Sequence, residues 1–259
     1  MCYLLKNLHL SIVSLLYVHM KTKLQYLTDQ EILTFDALVV DVKEDDGKTI
    51  VVLDSTYFYP QGGGQPCDQG IIQVQNGVLD VQEVYCRDGV VSHIGKLIQG
   101  NLVIGDKVTC DIDESRRILN SRIHSAGHVV DFAARKAGYL WTPSKGFHFT
   151  EGSYVEYTDV EEDVDVETVI LDLQRESSVL TEENLPVTTQ LMTKENMRDY
   201  CDFIPDYLPT GKPARVVLFG DRGIPCGGTH INNLKEIGNM TITKVKLKKG
   251  ILRVSYLVS

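Results

Sequence analysis

Two short stretches, HSAGH at residues 124–128 and CGGTH at 226–230, hold the side chains best suited to chemistry in this sequence. His124 and His128 lie four apart in a segment of helical spacing, which puts both imidazoles on one helix face, a turn apart. Cys226 and His230 form a C-x-x-x-H pair. Gly227 and Gly228 between them let the backbone turn tightly and bring thiolate and imidazole to one point. Each pair alone is a weak signal: histidines at this spacing are often a surface or capping pair, and a lone cysteine is often a small buried hydrophobe. Together, one thiolate and three imidazoles form a nitrogen and sulfur donor set suited to zinc. No H-E-x-x-H is present, so the general-base glutamate of a zinc protease is missing. Four protein ligands close a tetrahedral ion, the structural pattern, whereas catalysis usually needs an open position. A structural ion, a loosely held ligand and a five-coordinate ion all remain open. The glycines beside both pairs suit a site that admits a substrate.

A third stretch, YPQGGGQPCDQG at residues 59–70, places Gly62, Gly63 and Gly64 in a row. It is not a Walker A loop, because Gln65 and Pro66 stand where Lys and a hydroxyl are required. It is not a dinucleotide fingerprint either, because Pro66 disfavours the helix that would have to open there. A plain turn between strands and a contribution to a site built elsewhere both fit.

These motifs need elements to hold them. From Leu33 to about Asp111 the pattern is β-like. FDALVVDVKEDDGKTIVVLDS reads as two strands about Asp45-Asp46-Gly47-Lys48, and GIIQVQNGVLDVQEVY as two more about an Asn76-Gly77 turn; VVSHIGKLI and DKVTCDID add another pair. Short strands at regular turn spacing predict a small barrel. The stretch 113–138 then switches to helical spacing, with Asp113 as N-cap and Gly138 as the stop. Beyond it, GFHFTEGSYVEYT alternates like strands and DVETVILDLQRESSVLTEEN forms a second amphipathic helix. PVTTQLM, ARVVLFG and the hairpin NMTITKVKL/GILRVSYLV follow. The class is α+β: a small N-terminal barrel-like domain over residues 20–112 and an α+β domain over 113–259.

The chain has 259 residues and a net charge of −9, so no global basic field advertises nucleic acid. Six cysteines at wide spacing, with no C-x-x-C, point to a reducing cytoplasmic compartment rather than a disulfide framework. The apolar run Leu10 to Val18 is too short for a membrane span and lacks a following cleavage site. Residues 1–19 are expected to be a poorly ordered extension or an upstream-start segment, with Met20 as a second start and a targeting segment as the alternative.

FYPQGGGQPCDQG, HSAGH and CGGTHINNLKEIG, in this order, resemble the AlaX family of alanyl-tRNA editing proteins, medium-sized type, over roughly Lys21 to Val258. Members are free-standing relatives of the editing domain of alanyl-tRNA synthetase, a domain shared with threonyl-tRNA synthetase. The resemblance implies a hydrolase of mischarged tRNA(Ala), chiefly seryl and secondly glycyl, with Zn2+ on His124, His128, Cys226 and His230. A zinc-stabilised tRNA-binding module without turnover is the alternative. The resemblance also implies that Thr142, after Trp141, lies in the amino-acid pocket and that Gln65 orients the ester or ribose. Cys67, where the family commonly has Ser, is not expected as a ligand. Gly62, Gly63 and Gly64 would bring backbone close to the zinc site. Phosphate contacts are expected from Arg116, Arg117 and Arg122 on the His helix and from Lys244, Lys246, Lys248, Lys249 and Arg253 on the last hairpin. The acidic run from Glu161 to Glu167 would face away.

Overall fold

The structure is a computed structural model describing residues 21–208 and 210–259; the expectation for residues 1–19 lies outside these. In chain order the strands and helices begin with β1 (Lys23–Leu24), β2 (Thr34–Asp45), β3 (Lys48–Leu53), β4 (Ser55–Thr56), β5 (Gly70–Val74), β6 (Gly77–Arg87), β7 (Val90–Gly100) and β8 (Lys107–Ile112). Then come α1 (Glu114–Lys136), β9 (Thr142–Phe147), β10 (Tyr154–Thr158), α2 (Val166–Glu182), β11 (Val187–Met192) and α3 (Lys194–Met197). The last are β12 (Ala214–Phe219), β13 (Arg222–Pro225), β14 (Met240–Lys248) and β15 (Ile251–Val258). The class is α+β.

Two compact units form. One comprises the residues up to Gly62 together with Cys67–Arg117; the other comprises Gly63–Pro66 and Ile118–Ser259. The division therefore falls inside α1, after Arg117, and not at residue 112, and four residues of the glycine stretch go with the second unit.

In the first unit, β2-β3-β7-β6-β5-β8 close into a barrel, which leaves no strand edge open to aggregation. Alternation does the sorting: Val108, Cys110 and Ile112 of β8 point into the core while Lys107 is exposed. The β2–β3 turn uses Asp46 and Gly47, both at positive φ, as a two-residue hairpin requires. The next hairpin differs from expectation. Gly77 pairs with Val74 as the first residue of β6, so the turn is Gln75-Asn76.

His93 of β7 is fully buried in this barrel. Its Nδ1 meets the Val51 carbonyl at 3.1 Å and its Nε2 the Thr56 hydroxyl at 2.9 Å, so the neutral ring is satisfied. Burial pushes its pKa from 6.5 down to about 4. The unfolded chain takes up a proton near 6.5 and the folded chain only near 4, so the unfolded state binds more protons between those values. Stability is therefore full above about pH 6.5 and falls by on the order of 3 kcal/mol as pH drops to about 4. Denaturant unfolding of His93→Gln should show a shallower pH slope in that window; a slope equal to the parent's would refute the assignment.

In the second unit, the sheet β14-β15-β10-β9 and the smaller sheet β11-β12-β13 share a core with the two long helices. Ala126, Val129 and Val130 of α1 pack with Tyr157, Val254 and Tyr256 of the larger sheet. Two hydroxyls fasten the layers: Tyr157 donates to Asp131 Oδ1 at 2.7 Å and Tyr256 to the Ile123 carbonyl at 3.0 Å. The helix ends where glycine permits it, with Gly138 at φ +91°. On β14 the register shifts between Ile242 and Lys244, so Thr243 is an extra residue. Gln174 of α2 spans this bulge, donating to the Met240 carbonyl at 3.0 Å and accepting from the Ile242 amide at 2.8 Å. Among the described residues, no helix is long and apolar enough to cross a membrane.

Candidate metal centre

The two spaced pairs converge. One potential ligand atom from each of His124, His128, Cys226 and His230 lies within 4.8 Å of the others. The helical spacing of α1 supplies the first two. Cys226 follows β13 directly, and the turn after it is held by Arg215 of β12, which donates to the carbonyls of Cys226 and Gly228, each at 2.8 Å. Glycine is required at position 228, where a Cβ would run into the His124 ring. Position 227 is exposed and opens onto free space, so the turn leaves a mouth beside the half-buried thiol.

Each donor is oriented by a further group. Gln65 is fully buried, and its Oε1 accepts from His124 Nδ1 at 2.7 Å and from the Thr229 amide at 3.0 Å, while its Nε2 donates to Thr229 Oγ1 at 2.8 Å. The Thr229 N–H fixes which end of the amide faces the ring. His124 therefore carries its proton on Nδ1, leaving Nε2 toward Cys226 Sγ at 3.5 Å. Ser121 Oγ extends the chain to Thr229 at 2.7 Å. Ser125 Oγ lies 3.0 Å from His230 Nδ1, and Asp131 lies 3.5 Å from His128 Nδ1. Among the described residues, His128 Nε2 is buried with no hydrogen-bond partner.

The electrostatics suit a cation. Burial, followed by the neighbouring imidazoles, holds His124 well below the ordinary histidine range, and burial does the same for His230. Their lone pairs are thus available. Burial also pulls His128 down, but Asp131 and the Cys226 sulfur outweigh it and raise the ring to about 9. Burial raises the Cys226 thiol, yet His128, the Gly228 amide and Arg215 bring it below the usual value. A buried ring nitrogen without a partner, two neutral imidazoles and a thiol biased toward thiolate fit a soft divalent cation such as zinc.

The glycine stretch contributes as well. Gly64, at φ +79°, leaves no room for a Cβ against Gly146, and its carbonyl accepts from the His148 amide at 2.9 Å. Gly62 has no such constraint and accepts from Tyr59 OH at 2.8 Å.

Most of the other residues singled out in the sequence are engaged within the protein or lie away from the donors. Both ends of the Gln65 amide are engaged by protein, so it holds His124 in place and does not present itself to an ester. Thr142 pairs with Thr158, on the face opposite the buried Tyr157. Cys67 is buried in the barrel. Arg117 is buried and donates to Asp68 through Nε and Nη2, with a shortest contact of 2.6 Å, and through Nη1 and Nη2 to the carbonyls of Gln30 and Tyr57. That geometry removes it from phosphate binding. Arg116 donates to the Cys67 carbonyl, Arg122 to Ile237 and Ser259, and Arg253 to Glu156. Lys244, Lys246, Lys248 and Lys249 are exposed.

Sequence reading missed His148. It is buried, stacks on His124 with ring centroids 4.7 Å apart and meets Tyr256 OH at 2.6 Å. Burial, then His128, lowers it to about 3. The signal was present in GFHFT: alternation places His148 opposite Phe147 and Phe149.

Comparison with known proteins now gives the class. A family model described as tRNA synthetases class II (A) matches residues 6–116, and one described as the Threonyl and Alanyl tRNA synthetase second additional domain matches residues 214–255. Alanine--tRNA ligase of Methanosarcina acetivorans is 32% identical over 91% of this chain and 26% of its own length. The ligase of Methanothrix thermoacetophila is 33% identical over 88% and 24%. Alanyl-tRNA editing protein AlaX-L of Pyrococcus horikoshii is 28% identical over 89% of this chain and 56% of its own length. The chain thus spans about a quarter of the ligases and just over half of the editing protein. It carries an editing-type second additional domain and is AlaX-like, as its three motifs suggested.

Proposed function

We propose that this chain hydrolyses the ester of mischarged tRNA(Ala), seryl chiefly and glycyl secondly, with Zn2+ held by His124, His128, Cys226 and His230. The observation that carries this reading is the convergence of these four donors within 4.8 Å, beside an open glycine turn. Bound zinc would supply Lewis-acid polarisation or a more acidic water. The chain's own residues do the positioning. Gln65 and Ser125 orient two of the imidazoles through their outer nitrogens, and His128, the Gly228 amide and Arg215 bias the Cys226 sulfur toward the thiolate. Gly227 leaves the approach clear. An aminoacyl ester is inherently labile, so placement of the ester and a water supplies much of the needed rate. Lys244, Lys246, Lys248 and Lys249 are the proposed phosphate contacts, with Arg116 as a further one. The widely spaced cysteines support the cytoplasm as the compartment.

The test is a deacylation assay of pure, metal-replete protein on tRNA(Ala) charged with serine, glycine or alanine. Serine should be released fastest and alanine slowest. Intact seryl ester after prolonged incubation would overturn the reading, and metal-dependent folding without turnover would favour the binding module instead.

A further inference from the structure

The outward face of the β14-β15-β10-β9 sheet carries an ordered arrangement. One row across the sheet reads Lys246, Arg253, Glu156, Lys145, and the next reads Lys244, Ser255, Tyr154, Phe147. The rings on this face are parallel. Phe149 stacks on Phe147 at 4.4 Å and 17°, and Phe147 on Tyr154 at 5.3 Å and 15°. The Arg253 guanidinium caps the far end, 3.9 Å from the Tyr154 centroid. Glu156, the one acid in these rows, is occupied by Arg253 at 2.6 Å. Lys248 adds a further exposed cation. In a chain of net charge −9, this face is locally cationic.

We propose that this face binds unpaired nucleotides of an RNA, with a base extending the aromatic column at Phe149 and phosphates held by Lys145, Lys244 and Lys246. The proposal rests on the reading of tRNA as partner and adds where and how its single-stranded part is held. A column of parallel rings ending in a half-buried Phe offers a π-face, which every base can use. Cations on the same face match a phosphate backbone, Lys145 on the strand of Phe147 and Lys244 and Lys246 on the opposite edge strand. Among the described residues, the ring neighbour of Phe149 is Phe147 alone, so the column has one end to extend.

The experiment measures fluorescence anisotropy of an unstructured oligoribonucleotide of about ten nucleotides, bearing no amino acid, on the full chain, with an RNA hairpin for comparison. Phe149→Leu should weaken single-strand binding about tenfold and leave the salt slope unchanged, while Phe149→Trp should match or exceed the parent. Lys246→Gln should reduce the salt slope by about one. Parent-like affinity in Phe149→Leu, or equal loss in Phe149→Trp, would overturn the proposal. Neither measurement reads hydrolysis. Deacylation with Phe149-independent binding defeats this surface alone, and Phe149-dependent binding without deacylation defeats the catalytic reading alone.

Discussion

His124→Ala should take zinc from stoichiometric to trace and lower seryl-tRNA(Ala) deacylation by about a thousandfold or more. Position 124 is the hub of the cluster. Its ring lies 4.9 Å from His128 and 4.6 Å from His230, faces Cys226 and is held by Gln65. Truncation removes one donor and costs the buried Gln65 oxygen one of its two hydrogen bonds, leaving that from the Thr229 amide. Gln65→Leu provides the graded companion. It keeps all four donors but frees the His124 ring, and loss of such a supporting partner typically costs about 10- to 100-fold in metal affinity. Elemental analysis and chelator competition give both values. Unchanged metal content in His124→Ala would refute the ligand set, and parent-like affinity in Gln65→Leu would refute the positioning role.

Arg117→Met should destabilise the barrel unit by about 3–5 kcal/mol and leave RNA affinity unchanged. The guanidinium is 5% exposed and the Asp68 carboxylate 0%, so removing the cation leaves an unpaired buried anion. Asp68 also accepts from the Tyr59 amide at 2.6 Å, and its own amide donates to the Tyr59 carbonyl, closing the base of the glycine stretch. Adding Asp68→Leu to Arg117→Met should recover much of the loss, because replacing a whole buried pair is far less costly than breaking one. Denaturant unfolding of the single and double variants checks this. Weaker RNA binding at unchanged stability would return Arg117 to the phosphate contacts.

Much of this was legible in the sequence because it repeats. Period-two alternation with turn residues gave the barrel strands, period-3.6 spacing gave α1 and α2, and two spaced pairs gave the four converging donors. The burial of Arg117 was legible too. Positions 117, 121, 124 and 128 form one helical stripe, and the stripe that points His124 and His128 inward also buries Arg117 and Ser121. Arg116 lies one step round the helix and stays partly exposed. Gln65 lies beside His124, and its orientation depends on Thr229, 164 residues away, a pairing that no local pattern encodes. Thr142 failed for a different reason. Simple alternation back from His148 through Gly146 would turn it inward, but the pairing skips Ser144 between Lys145 and Pro143, and that one extra residue turns it out.

The extra residue Thr243 acts on β14 in the same way. Met240 and Ile242 point into the core, and unbroken alternation would send Lys244 and Lys246 after them, leaving Val245 in water. The inserted residue shifts the phase, so Val245 and Leu247 continue the core face of Met240 and Ile242 while Lys244, Lys246 and Lys248 turn outward. The positive face is therefore a matter of frame as much as of composition. The same lysines, one position out of step, would be charges buried in a hydrophobic layer.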